Sequence, residues 1–304
     1  MTTLILVLMF GSLALVLLDG NWRAGLLITL VIGFLQDPLR KITPGQPSAF
    51  AGLVLVAFVL TILVIYGQNK GRVDLRSMFW TVPEILEWIP LFFMVVAAQA
   101  VNSFFRFDDI QLMGLGTAFY LAPAVAIWAG YEVGCNPKIL KKVVITYLVL
   151  CGLFGISAWL SFRGFDNILL KEVGEGIQIT FEGYSAPGAA GLWRTSEIAA
   201  WHLGAGACLS LILAVSSQKQ ENQILLFMLS AGFAYLSIPT GRRKALVLVL
   251  VFSAFYLLLF SRRASAASKE RVISTVLGGS AMAYGAYALF LISAKGDSFD
   301  AYLN

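Results

Sequence analysis

The stretch PTGRRKALVLVLVFSAFYLLLFSRR, residues 239–263, decides the fold class. An apolar run at 244–260 lies between two basic clusters, and Pro239 and Gly241 ahead of it end whatever helix comes before. Hydrocarbon offers no water to the peptide groups, so such a run satisfies its own hydrogen bonds as a helix and crosses the bilayer. Outward from it the pattern repeats, with runs near 3–18, 24–35, 49–66, 88–101, 112–130, 143–161, 198–215, 223–238 and 272–294. The run at 24–35 is the weakest. Twelve residues are short for a layer about 30 Å thick, so it is either re-entrant or lengthened by Trp22 and a snorkelling Arg23. Composition agrees: 304 residues are 59% hydrophobic and 13% charged, with a mean hydropathy of +0.81. The expected fold is an all-α polytopic bundle of about ten crossings, one integral membrane domain over 1–304. The N-terminus lacks a basic leader and is expected to remain as the first crossing.

Composition also excludes function classes. The net charge of +5 is spread over short joints, none long or basic enough to track a phosphate backbone, so it orients the chain and nucleic acid is not an expected partner. Cys135, Cys151 and Cys208 form no CxxC pair, and the single His202 cannot assemble a histidine metal site. No GxGxxG or Walker spacing surrounds Gly278, Gly279 or Gly285, which read as helix contacts. Neither metal nor cofactor is expected. Ala200, Gly204 and Cys208, with Gly206 nearby, form a small-residue stripe suited to close helix packing.

Ten crossings put Arg23, Lys70, Arg72, Arg76, Lys138, Lys141, Lys142, Lys219, Arg262, Arg263, Lys269 and Arg271 on one side. That majority is slim. The longest joint, 162–197, carries Asp166, Glu172, Glu175, Glu182 and Glu197 against Arg163, Lys171 and Arg194, which suits an extracytoplasmic loop. The turn at 239–243 then also faces outward. Arg242, Arg243 and Lys244 there run against the usual inward bias of positive charge, and a helix N-terminus beside them would attract an anion. Guanidinium forks fit phosphoryl oxygens, so a lipid-linked diphosphate is a suitable occupant; the plainer alternative is a headgroup anchor.

A second concentration of polar tools is GLWRTSEIAAWH, 191–202. Ser196 or Thr195 can cap a helix, and Glu197 can pair with Arg194. His202 lies about two turns below Arg194, roughly 80° around the helix, so both can face one cavity. Structurally, His202 would hydrogen-bond a neighbouring helix; functionally, it would act on substrate, and the structural role is the stronger. Asp37 precedes Arg40 and Lys41 by three and four residues, the spacing of a local loop-fixing ion pair. The joint at 67–87, with Phe79 and Trp80, reads as an interfacial anchor.

Three stretches, GFLQDPLRKITPGQP at 33–47, GLWRTSEIAAWH at 191–202 and PTGRRKALVLVLV at 239–251, in this order between apolar helices, resemble the bacterial O-antigen polymerase and O-antigen ligase superfamily, in its exopolysaccharide polymerase-like branch. The resemblance implies a polysaccharide polymerase or ligase-like glycosyltransferase of the bacterial inner membrane with an extracytoplasmic active face. Its partners would be a glycan on undecaprenyl diphosphate, a glycan or lipid-linked acceptor, membrane lipids and polysaccharide assembly proteins. The family's arginines hold the departing diphosphate, a role that maps to Arg242 or Arg243 and less directly to Arg194, with Glu197 and His202 as further site candidates. The family also carries a sizeable outer loop after this region, whereas here a polar segment only begins at 295–304, as though an extracytoplasmic piece were missing. A lipid-linked oligosaccharide transporter and a noncatalytic scaffold or truncated remnant are the alternatives. The transporter would want repeated halves, which the sequence does not display.

Overall fold

The computed structural model describes residues 2–68, 84–173, 178–181, 184–263, 270 and 273. Helices dominate: α1 (Thr2–Leu18), α2 (Trp22–Ile42), α3 (Leu53–Gln68), α4 (Glu84–Phe107), α5 (Ile110–Gly134), α6 (Pro137–Phe162), α7 (Ser196–Ser216), α8 (Gln220–Ser237) and α9 (Arg243–Arg263). Six segments among the described residues are long and apolar enough to cross a membrane: Ser48–Gln68, Trp88–Phe107, Pro137–Phe162, Ser196–Ser216, Gln220–Thr240 and Lys244–Arg262. The chain is a multi-pass helical membrane protein. The expected crossing at 272–294, the glycines at 278, 279 and 285, the tail at 295–304 and most of the 67–87 joint lie outside the described residues.

One alternative of the sequence reading is decided and one element is new. The short run at 24–35 belongs to a 21-residue helix, α2, which draws in Trp22 and Arg23 and continues past Leu35 through Pro38. Arg23 turns back over the Trp22 ring, 5.6 Å from its centroid, which keeps the charge at the helix end. The second is a hairpin inside the long joint, β1 (Gln178–Phe181) paired antiparallel with β2 (Tyr184–Pro187), Phe181 opposite Tyr184.

The chain divides into two compact units. Unit two, Thr3–Leu30 and Gly52–Val143, joins α2 to α3 through buried hydroxyls. Thr61 Oγ1 donates to Ala57 O at 2.9 Å, and Thr29 Oγ1 lies 3.1 Å from Thr61 Oγ1. These bonds stay within or between helices, as apolar surroundings require. Ile65 and Trp128 pack nearby with Trp22, Ile62 and Tyr131.

Unit one, Met1–Thr2, Val31–Ala51 and Val144–Asn304, is organised around α7. A Cβ on Gly204 would stand 3.5 Å from Val249 Cγ2 of α9, and one on Gly206 would press on the Phe233 ring of α8 at 3.2 Å. The small-residue stripe thus does what its spacing suggests, letting two helices approach α7 closely. Lower down, Leu211 and Val215 pack against Phe227, Tyr256, Leu257 and Phe260. With α7 held on both sides, its N-terminal end has a fixed position.

Candidate functional site

The chain enters α7 through a tightly fitted turn. Gly191 has φ +58, and a Cβ there would sit 2.3 Å from the Ala158 backbone nitrogen, so only glycine lets the turn lie against α6. The Leu192 N–H donates to Ser157 Oγ at 2.8 Å. Trp193 is buried against Phe154 and Phe34, with ring centroids 5.3 and 6.4 Å away. Of the two capping candidates, Thr195 takes the role, its Oγ1 accepting the Ile198 N–H at 3.4 Å. The Ser196 N–H donates to Glu172 Oε1, and the Val173 N–H to Arg194 O at 2.8 Å, so the long joint clasps the turn from one side.

The end of α2 clasps it from another. Asp37 Oδ2 accepts the Arg194 N–H at 3.2 Å, and Lys41 Nζ donates to Gly191 O at 2.5 Å and Leu169 O at 3.0 Å. The expected local ion pair does not form: among the described residues no ion pair joins Asp37 to Arg40 or Lys41, and Arg40 Nε donates to Gln46 O at 2.9 Å instead. The helix continues through this segment and turns Asp37 and Lys41 into the interior, leaving them only 4% and 2% exposed. Both lie past the apolar 24–35 run. Burial pushes the Asp37 carboxyl above the usual range, opposed by its bond from Arg194 and by the charges of Arg194, Lys41 and Arg40. Burial likewise pushes the Lys41 ammonium down to about 8, opposed by Asp37 and Glu172.

The third part is the turn before α9. A short 3-10 turn at Ile238–Thr240 ends at Gly241, whose φ of +68 is left-handed. Thr240 Oγ1 donates to Ser237 O at 2.6 Å and accepts the Arg242 N–H at 3.4 Å, while the Ala189 N–H donates to Pro239 O at 3.0 Å. Gly188 is wedged where these pieces meet: a Cβ on it would stand 2.6 Å from Ser196 Oγ and 3.1 Å from Thr240 O. Thr240 therefore lies close to the N-terminal end of α7, and Arg242 follows two residues later. Arg242 sits just ahead of the first turn of α9 rather than within it, because Gly241 resets the backbone before Arg243 opens the helix. Arg242 Nη2 is buried with no partner among the described residues, as are Ser196 Oγ, Asp37 Oδ1 and Trp193 Nε1.

The remaining candidates divide. Arg194 is half-buried and its backbone is held at both ends, but it precedes the helix, so the 80° offset from His202 expected of a shared helix does not apply. Glu197 is exposed and makes no ion pair with Arg194 among the described residues. The side chain of Arg243 lies outside the description. His202 Nδ1 lies 2.9 Å from the Tyr147 hydroxyl, and its ring stacks on Trp193 within 10° and approaches Phe34 at 5.0 Å. That is the neighbouring-helix bond of the structural reading. His202→Gln is accordingly expected to cost about 1–2 kcal/mol of stability, from one hydrogen bond and an aromatic contact. Thermal unfolding checks this.

Glu172, Tyr147 and Ser157 are parts of this site that sequence reasoning did not assign. Glu172 stood out only as one acid of the long joint, and nothing local marks the other two. No family model, no curated protein and no solved structure matches the chain.

Proposed function

We propose that the protein transfers a saccharide from an undecaprenyl-diphosphate carrier to a glycan acceptor at the outer face of a bacterial cytoplasmic membrane. The observation that carries this is Arg242: a guanidinium nitrogen buried without a partner among the described residues, two residues after Thr240, whose carbonyl lies close to Gly188 at the approach to α7. A buried donor left unbonded costs about 1–3 kcal/mol, and a phosphoryl oxygen would satisfy it. A further support is convergence. The stretches 33–47 and 191–202 lie far apart in sequence yet meet through Asp37, Lys41, Gly191 and Arg194, and Pro239 of the third stretch bonds Ala189, two residues ahead of Gly191.

In the proposed reaction an acceptor hydroxyl oxygen attacks the anomeric carbon and loses its proton. The bond from that carbon to the diphosphate oxygen breaks, its electron pair leaves with the diphosphate, and the proton passes by way of solvent to the departing diphosphate. Arg242 donates to the charge that develops there, while the N-terminal turn of α7 adds its dipole. The test places the purified full chain in vesicles with a radiolabelled undecaprenyl-diphosphate saccharide and an unlabelled glycan. Lengthened glycan and free undecaprenyl diphosphate should appear without a nucleotide sugar. Absence of transfer, with the lipid diphosphate bound no better than undecaprenol, would end the proposal.

A further inference from the structure

Unit two contains a polar groove that the transfer site does not use. Gln99, Asn102, Ser103 and Arg106 follow one another at helical spacing and so share one face of α4. The span they belong to, Trp88–Phe107, is only 6% buried, against 56% for Ser196–Ser216. Polar side chains on such a span are costly in lipid unless something polar meets them. Met113, Gly116, Thr117 and Tyr120 of α5 face them, and the two helices enclose about 230 Å³. That is less than the roughly 300–1,000 Å³ of most ligand pockets, a size for one ring rather than a chain.

The chemistry of the lining selects the occupant. The Gln99 and Asn102 amides each present a donor and an acceptor side by side, and Arg106 adds a planar fork of donors, a set that matches neighbouring hydroxyls on a ring. Thr117 Oγ1 donates to Met113 O at 2.8 Å and keeps its lone pairs for accepting. Phe107 and Tyr120 are exposed aromatic edges able to cover the apolar face of such a ring. Arg106 is the only cation among the described residues of the lining, it already stands 5.3 Å from the Phe107 ring, and Asp108 follows Phe107 directly in the chain. That carboxylate opposes a phosphate and leaves an uncharged polyol favoured. On the sequence's count of ten crossings, the joint at 102–111 is expected to face outward.

We propose that this groove binds one uncharged sugar ring. That the ring belongs to the glycan of the transfer reaction rests on the function proposed above; the binding chemistry does not. The test uses the full chain in phosphatidylcholine nanodiscs and saturation-transfer NMR, with chitobiose, maltotriose and glycerol 1-phosphate as probes, the last standing for a lipid headgroup. At least one saccharide should bind, glycerol 1-phosphate should not displace it, and Gln99→Leu with Asn102→Leu should weaken it at least tenfold. Leucine suits a lipid-facing helix, so this variant is expected to fold; Ser103→Trp, which fills the groove, should give the same loss. No saccharide binding, binding indifferent to both variants, or displacement by glycerol 1-phosphate would overturn the groove. Binding of undecaprenyl diphosphate, measured on the same samples, separates the two proposals. If it depends on Arg242 while the sugars fail, the groove alone falls; if it ignores Arg242, the transfer site falls.

Discussion

Arg242→Ala is expected to lower saccharide transfer about 10²–10³-fold, the effect of removing one preorganised donor from a developing oxyanion, or about 2.7–4 kcal/mol. The expectation follows from where the side chain sits. Its Nη2 is buried and unpartnered among the described residues, just past the turn at Thr240, so an anion reaching that turn would meet an unused donor. Arg242→Lys retains a charge and loses the fork, and should recover only part of the rate. Arg242→Ala should also weaken undecaprenyl diphosphate far more than undecaprenol, which carries no phosphate. Equal loss for the two lipids would mean that the substitution disturbs packing, and Arg242 would then have no claim on an anion. Arg243→Ala is the comparison: if it matches Arg242→Ala in both measurements, the basic pair acts as a unit.

Much of this protein is legible locally. The start of α7 follows from Thr195 and Ser196 ahead of an apolar run, and the start of α9 from Pro239 and Gly241, because caps and breakers act within a few residues of themselves. The helix contacts at Gly204 and Gly206 are legible for the same reason: side-chain size repeats at helical spacing. The roles of Asp37 and Lys41 are not. Their apparent partners were Arg40 and Asp37, one turn away, whereas their observed partners are Arg194, Leu169 and Gly191, far along the chain. A charge near a membrane edge looks the same in sequence whether it faces water or the interior. The hairpin β1–β2 escaped because four-residue strands in a polar joint lack the periodicity that marks longer ones. The candidate site was thus visible as three motifs, but the clasp joining them was not.

That clasp makes the second large expectation specific. Lys41→Met keeps the length of the side chain and removes the ammonium, leaving the carbonyls of Gly191 and Leu169 without their donor and Asp37 without its nearby cation. Two buried carbonyls left without their donor are expected to cost about 1–3 kcal/mol each. Because the bonds hold the turn before α7, transfer should fall with stability, and thermal unfolding in detergent measures the first directly. Asp37→Asn added to Lys41→Met should recover part of the loss, since asparagine can still accept the Arg194 N–H but carries no charge to strand. The pH dependence separates this account from a simple packing defect. The folded Lys41 titrates near 8, below its usual 10.5, so between those values the unfolded chain binds the extra proton and stability rises with pH. Asp37 acts in the opposite sense at the acid end: with its carboxyl raised above 3.8, its contribution is greatest below that value and fades as pH rises through its folded titration. The rise above pH 8 should therefore be present in the parent and absent from Lys41→Met. An alkaline rise that survives the substitution would show that Lys41 is not the titrating group, and that the turn is held by packing around Trp193 rather than by the end of α2.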